Sequence, residues 1–272
     1  MLSLITCISL TIRLSTSVMK HITGIGFDLF NTLITVDAPA LEKGLYRLMH
    51  SLLKSGFAFD TDAFSRAYRE AALRFVEEAR RDGRETHNRF WISAALQSLG
   101  YHVPPDDPRI DSGVDAYFSA FLEHCHLIPG TAEMLETLKA RYRLGLLSNF
   151  THGPAARKIV DRVGLTAFFD VVLISGELGY RKPHPLVFRR LIECFEVNGS
   201  HVLYVGDDPE PDILGAERAG INPVWFTYVR DHNIAPAPGM KSSNVQDPDS
   251  EVPRISTWQE FLTILDWERA DV

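Results

Sequence analysis

The chain has 272 residues, 45% of them hydrophobic, and a formal net charge of −7. That length suits one large domain or a core carrying an inserted second domain, and the acidic balance gives no electrostatic footprint for nucleic acid, whose binders are usually basic. Three scattered cysteines, Cys7, Cys125 and Cys194, are too few for a disulfide framework or a CxxC metal site and point to a reducing, cytoplasmic compartment.

Residues 2–12 are apolar, but no Lys or Arg precedes them, they are too short to span a bilayer, and they lead to Arg13 rather than to a small-residue cleavage site. Residues 1–18 therefore read as an extension ahead of a start at Met19, not as a signal peptide or membrane anchor. The apolar run over 22–27 reads as a buried strand that stops at Asp28 and breaks into a turn bearing Thr32. An acid at the carboxyl end of a strand in an open parallel sheet sits where ligands bind; the plainer alternative is an Asp that caps a turn.

From residue 37 the apolar period changes from strand to helix. The spacing predicts helices over 39–55, 60–82, 86–99 and 111–124, stopped or separated by Gly56, Gly100, Pro104, Pro105 and Pro108. No β pattern interrupts this block, so 37–126 reads as a four-helix insertion. Beyond it strands and helices alternate: helices over 131–141, 155–163, 185–196 and 213–219, and strands over 143–147, 171–174, 202–205 and 224–226. This alternation predicts an α/β fold, a doubly wound, parallel, five-stranded Rossmann-like core formed by 19–36 and 127–272. Residues 232–253, rich in Pro, Gly, Ser, Asn and Asp, read as a loop, and Thr257-Trp258-Gln259-Glu260 is a capping box opening a terminal helix.

Parallel strands bring their carboxyl ends to one edge, which gathers Asp28, Ser148 with Asn149, the loop carrying Lys182, and Asp207 with Asp212. Asp28 is a nucleophile that needs no base, being ionised at neutral pH. Asp207 beside it makes a like-charge cluster suited to a hard cation such as Mg²⁺. Lys182 offers a compact positive charge to Asp28 and to an anionic substrate, while Ser148 and Asn149 can donate to phosphoryl oxygens.

Four motifs in order resemble the haloacid dehalogenase superfamily, from Met19 onward: Phe27-Asp28-Leu29-Phe30-Asn31-Thr32-Leu33, Leu146-Leu147-Ser148-Asn149, Tyr180-Arg181-Lys182-Pro183-His184-Pro185, and Gly206-Asp207-Asp208-Pro209-Glu210-Pro211-Asp212-Ile213-Leu214-Gly215-Ala216. The resemblance implies a Mg²⁺-dependent hydrolase of small phosphorylated metabolites working through an aspartyl-phosphate at Asp28. It also implies a helical cap over 37–126, Mg²⁺ ligands from Asp28, the Phe30 carbonyl and Asp207, and supporting roles for Thr32, Asp208 and Asp212. One position departs: family phosphatases carry a second Asp two residues after the nucleophile, and here it is Phe30. Phe transfers no proton, so about 10²- to 10⁴-fold of acid-base catalysis must come from elsewhere; Asp208, Glu177, His184 and His87 are the candidates.

An aromatic there also resembles the metal-independent dehalogenase branch. Against that branch stand the charged Asp207, which would repel a haloacid, and Phe188, where dehalogenases typically carry Tyr. A third reading is a phosphate-binding member without catalysis.

Other signals have plainer readings. Gly24-x-Gly26 lacks the third Gly of a dinucleotide loop and reads as small residues inside a buried strand. Arg66, Arg69, Arg74, Arg80, Arg81, Arg84 and Arg89 read as a solvated helix face with Glu77, Glu78 and Glu85. Phe90 and Trp91 read as cap core and His152 as an exposed loop residue.

Overall fold

Strand β1 (Gly24–Phe27) is buried at all four positions, as a near-continuous apolar run requires when helices cover both faces of a parallel sheet. The computed structural model describes residues 21–236 and 246–266. The expected extension over 1–18, the start at Met19 and part of the expected loop lie outside the described residues.

Around β1 the chain builds β4 (Arg143–Ser148), β5 (Val171–Ile174), β6 (Val202–Gly206), β7 (Asn222–Phe226) and β8 (Arg254–Ile255). They form a six-stranded sheet in the order β5-β4-β1-β6-β7-β8, with every pairing parallel. The order reverses at β1, the switch point beside which ligands settle in open α/β sheets. Phe27 lies opposite Leu146 on one side and Val205 on the other. Continued by one or two residues, that register sets Asp28, Ser148 and Asp207 at the same edge. The sixth strand exceeds the five expected: two residues are too few to show an alternation.

A second difference is the antiparallel ribbon of β2 (Ile34–Val36) and β3 (Cys125–Leu127), three residues per strand and equally unreadable as a period. It joins the segments by which the chain leaves for the helical insertion and returns, and is proposed as the seam between core and cap.

The insertion comprises α1 (Pro39–Lys54), α2 (Thr61–Asp82), α3 (Asn88–Ser98) and α4 (Pro108–His124). Helix α4 starts three residues before the expected position because Pro108 occupies its first turn and Asp107 accepts the Arg109 N–H at 2.9 Å. In the core follow α5 (Thr131–Lys139), α6 (Gly153–Arg162), α7 (Ser175–Leu178), α8 (Pro185–Phe195), α9 (Gly215–Arg218), α10 (Tyr228–Asp231) and α11 (Trp258–Asp266). The helix expected over 213–219 divides into a π-helical turn, Pro209–Leu214, and then α9. Among the described residues no helix is long and apolar enough to cross a membrane.

Helix α8 presses directly onto the sheet, which explains the strand glycines. A Cβ on Gly26 would meet Leu191 at 2.6 Å and Tyr204 at 2.8 Å, and one on Gly145 would meet Leu191 at 2.6 Å and Phe195 at 2.8 Å. Gly145→Val is therefore expected to destabilise the protein by about 1–3 kcal/mol through overpacking. Denaturant unfolding measures this, and an unchanged midpoint would mean that α8 does not rest on these strands.

Candidate active site

The centre of the sheet edge is the Lys182 ammonium, 2% exposed at its side chain. It donates to Asp28 Oδ1 at 2.5 Å, Asp212 Oδ1 at 2.6 Å and the Tyr204 hydroxyl at 2.9 Å, which uses all three of its protons. The Tyr204 hydroxyl in turn donates a hydrogen bond to the Leu147 carbonyl at 2.9 Å. Burial works to lower the lysine pKa, but Asp212 and Asp28 outweigh it and hold the group well above the ordinary lysine range.

Asp28, at the end of β1, is buried, and its backbone N–H is held by the Val205 carbonyl at 2.9 Å. Its Oδ2 receives a long hydrogen bond from Thr32 at 3.4 Å. Burial raises the Asp28 carboxyl to about 7, with Lys182 opposing and Asp212 adding to the rise. The turn that follows needs a left-handed residue, supplied by Asn31 at φ 61.

One oxygen each from Asp28, Asp207 and Asp212 lies within 4.8 Å of the others. Burial and then the neighbouring carboxylates push Asp207 well above the usual range. Its backbone is fixed by Trp225, whose indole N–H donates to the Asp207 carbonyl at 2.9 Å. Both Asp212 oxygens are engaged at short range, Oδ1 by Lys182 and Oδ2 by the Asp208 N–H at 3.0 Å, whereas the contact from Thr32 to the second Asp28 oxygen is long, at 3.4 Å, which leaves Asp28 and Asp207 as the more available oxygen donors. Fully ionised, three carboxylates against one ammonium would carry two negative charges in excess, which is why Asp28 and Asp207 hold their protons more tightly without a cation. An all-oxygen donor set with that excess fits a hard divalent cation.

Ser148 ends β4 with a fully buried hydroxyl that has no hydrogen-bond partner, a group whose desolvation calls for a ligand. Asn149 is differently placed from the expectation. Its Oδ1 accepts the Lys182 N–H at 2.7 Å and its Nδ2 donates to the Lys182 carbonyl at 3.0 Å, so the amide clamps the lysine loop and only its second N–H proton is left for a phosphoryl oxygen.

Phe30 points away from any proton-transfer task. Its ring is 2% exposed and stacks on Phe150 at 5.1 Å and 11°. Each of the four candidate replacements has a partner. Glu177 forms a two-point ion pair with Arg157 at 2.8 and 2.6 Å. His184 accepts the Leu186 N–H and stacks on Tyr180. His87 Nδ1 accepts the Arg89 N–H at 3.1 Å, which assigns the ring proton to Nε2, 2.8 Å from His152 Nδ1. Asp208 accepts the Glu210 N–H at 3.4 Å. His152, expected exposed, is buried and stacked on Phe118.

Residues 22–220 match the family described as "Hydrolase: haloacid dehalogenase-like hydrolase". The chain belongs to this family. It is 31% identical over 205 residues to ribulose-1,5-bisphosphate 5-phosphatase of Halopiger xanaduensis, covering 75% of this chain and 84% of that protein. It is 30% identical over 203 residues to glyceraldehyde 3-phosphate phosphatase of Pyrococcus abyssi, covering 74% and 80%. In fold it resembles a 2-haloacid dehalogenase from Pseudomonas syringae, with TM-score 0.62, 24% identity and coverage of 90% and 98%. Within this family of hydrolases the four motifs are the ones that stand at the sheet edge. Tyr204 and Trp225 were not singled out from the sequence, although a Tyr inside an otherwise apolar strand signals a hydroxyl that must find a partner.

The raised Asp28 pKa has a definite sign. Without a divalent cation the folded state keeps this proton to about pH 7, whereas the unfolded chain loses it near 3.8; as pH rises between those values the unfolded state is increasingly favoured. In chelator, Asp28→Asn is therefore expected to gain thermal stability over the native protein progressively from pH 4 to pH 7. A gap that stays constant with pH contradicts this electrostatic account.

Proposed function

We propose that the protein is a Mg²⁺-dependent phosphohydrolase of small phosphorylated metabolites, working in the cytoplasm through an aspartyl-phosphate at Asp28. The observation that carries this reading is the convergence of the Asp28, Asp207 and Asp212 oxygens around the buried Lys182 ammonium. The two phosphatase relatives support the substrate class, and the two described cysteines, both unbonded, fit a reducing compartment.

Asp28, Asp207 and the Phe30 carbonyl would hold the cation, which supplies charge neutralisation for the phosphoryl oxygens and the attacking carboxylate. The residues do the rest. The Asp28 oxygen not bonded to Lys182, held by the long contact from Thr32, is the nucleophile for in-line attack. The unpartnered Ser148 hydroxyl can donate to a phosphoryl oxygen, while Lys182, its three protons already committed, offsets the developing charge through its field. Asp212 keeps Lys182 charged and placed, and seating of the helical cap excludes water.

With Phe30 in the acid position, the leaving group must depart without a proton from that side. Aryl and acyl phosphates, whose leaving groups need none, are expected to outpace alkyl phosphates by about 10²- to 10⁴-fold in kcat. Steady-state rates on an aryl and an alkyl phosphate measure this, and equal rates would refute the argument. Phe30→Asp should narrow the gap by raising the alkyl rate. Because it also removes a buried ring, a loss of about 3–5 kcal/mol is expected, so rates are compared per mole of folded enzyme.

Metal-independent dehalogenation is a second reading, favoured specifically by the aromatic Phe30. The excess charge at Asp207 weighs against it, since a haloacid carboxylate would approach uncompensated carboxylates. The two separate cleanly. Phosphatase activity is expected to vanish with chelator, return with Mg²⁺, and be lost in Asp28→Asn. Halide release that persists in chelator would favour the dehalogenase.

A further inference from the structure

The connection between α2 and α3, residues 83–87, runs alongside 179–181, the segment that leads into Lys182. Glu85 N–H donates to the Gly179 carbonyl at 3.0 Å and Arg181 N–H to the Gly83 carbonyl at 2.9 Å, an antiparallel bridge centred on Arg84 and Tyr180. The approach is close: Gly83 has φ +72, and a Cβ there would meet the His184 ring at 2.7 Å.

Within this strap the Glu85 side chain is 2% exposed, unusual for a carboxylate unless it is paired. Its Oε2 accepts the Ser175 hydroxyl at 2.6 Å, and its Oε1 accepts the Thr86 N–H at 3.1 Å and lies 3.5 Å from the Arg181 guanidinium. The Ser175 oxygen in turn accepts the Phe150 N–H at 2.8 Å. A hydroxyl has one proton to give. Glu85 at 2.6 Å takes it in preference to the Phe150 carbonyl at 3.3 Å, because the acceptor is both nearer and charged. Phe150 directly follows Ser148 and Asn149, and the Asn149 amide grips the Lys182 backbone at both ends. One carboxylate from the helical insertion thus reaches the Ser148 loop through Ser175 and the Lys182 loop through Arg181.

We propose that Glu85 is a positioning residue: seated on Ser175 and Arg181, its carboxylate sets the placement of the loop bearing Ser148 and Asn149 relative to the loop bearing Lys182. Its consequence for catalysis rests on the phosphohydrolase reading above. When the strap lifts, the Ser175 proton turns to the Phe150 carbonyl and the lysine loop loses two backbone hydrogen bonds. Seating of the cap and assembly of the charged site are then one event.

The test uses the full chain with hydrogen-deuterium exchange, and kinetics with p-nitrophenyl phosphate and Mg²⁺. In Glu85→Ala, amides over 148–152 and 179–182 are expected to exchange about tenfold faster while those of β1 and β6 are unchanged. With the aryl phosphate, kcat should fall about tenfold or more, with KM moving by less than about twofold. Glu85→Gln, which keeps an acceptor for Ser175, should recover most of kcat, a rescue that a merely structural loss would not show. If Glu85→Ala does not fold, Ser175→Ala removes the same link while Glu85 keeps Arg181 and the Thr86 N–H, and faster exchange over 148–152 is expected. Native exchange in both segments overturns the proposal, as does a Gln variant no better than Ala. A native enzyme inert toward the aryl phosphate would instead sink the phosphohydrolase reading, and the exchange data would still decide the role of Glu85.

Discussion

The buried ammonium of Lys182 is the interaction around which the site is arranged. Withdrawing such a charge from water costs several kcal/mol, and only close, fully satisfied partners offset it. Here each of its three protons has one, from Asp28, Asp212 and Tyr204. Those partners come from the end of β1 and from β6 with the turn that follows it, so the ion cluster ties the Lys182 loop to two segments far apart in sequence. Asp212 is held in turn by the Asp208 N–H, and the Lys182 backbone by Asn149. The restraints form a closed circuit around the carboxyl end of β1.

That circuit is unbalanced in charge, and the imbalance is informative. Asp207 joins Asp28 and Asp212 with Lys182 as the cation bonded to two of the three. A cluster that served stability alone would gain by replacing one acid with a neutral residue. Its persistence fits a site built to receive positive charge. Ser148, with a buried and unpartnered hydroxyl, is the complementary provision for an incoming oxygen.

Phe30 divides the family's usual chemistry in two. On the phosphohydrolase reading proposed above, Asp28 supplies the attacking group, while the position that would protonate the leaving group is an aromatic contact with Phe150. Phe150 also meets Phe118 of the helical insertion, whose ring stacks on His152. Phe30 thus contributes to an apolar row running from the sheet to the helical insertion, and polar contacts between the two include Glu85 with Ser175, His87 with His152, and His152 with Asp115.

The sequence by itself determined the alternation of strands and helices, the helical insertion, and the four segments that meet at the sheet edge. Local period, turn residues and strand-end polarity are properties of short stretches and survive reading in one dimension. It could not register β8 or the β2–β3 ribbon, because two or three residues carry no period. Nor did it assign Asn149 to the Lys182 backbone, bury His152, or show that Glu85, one acid in a strongly charged stretch, has a side chain only 2% exposed. Those outcomes depend on which distant segment packs against each residue, and only the tertiary structure decides that: a charge becomes buried, paired or free according to neighbours that chain order does not name.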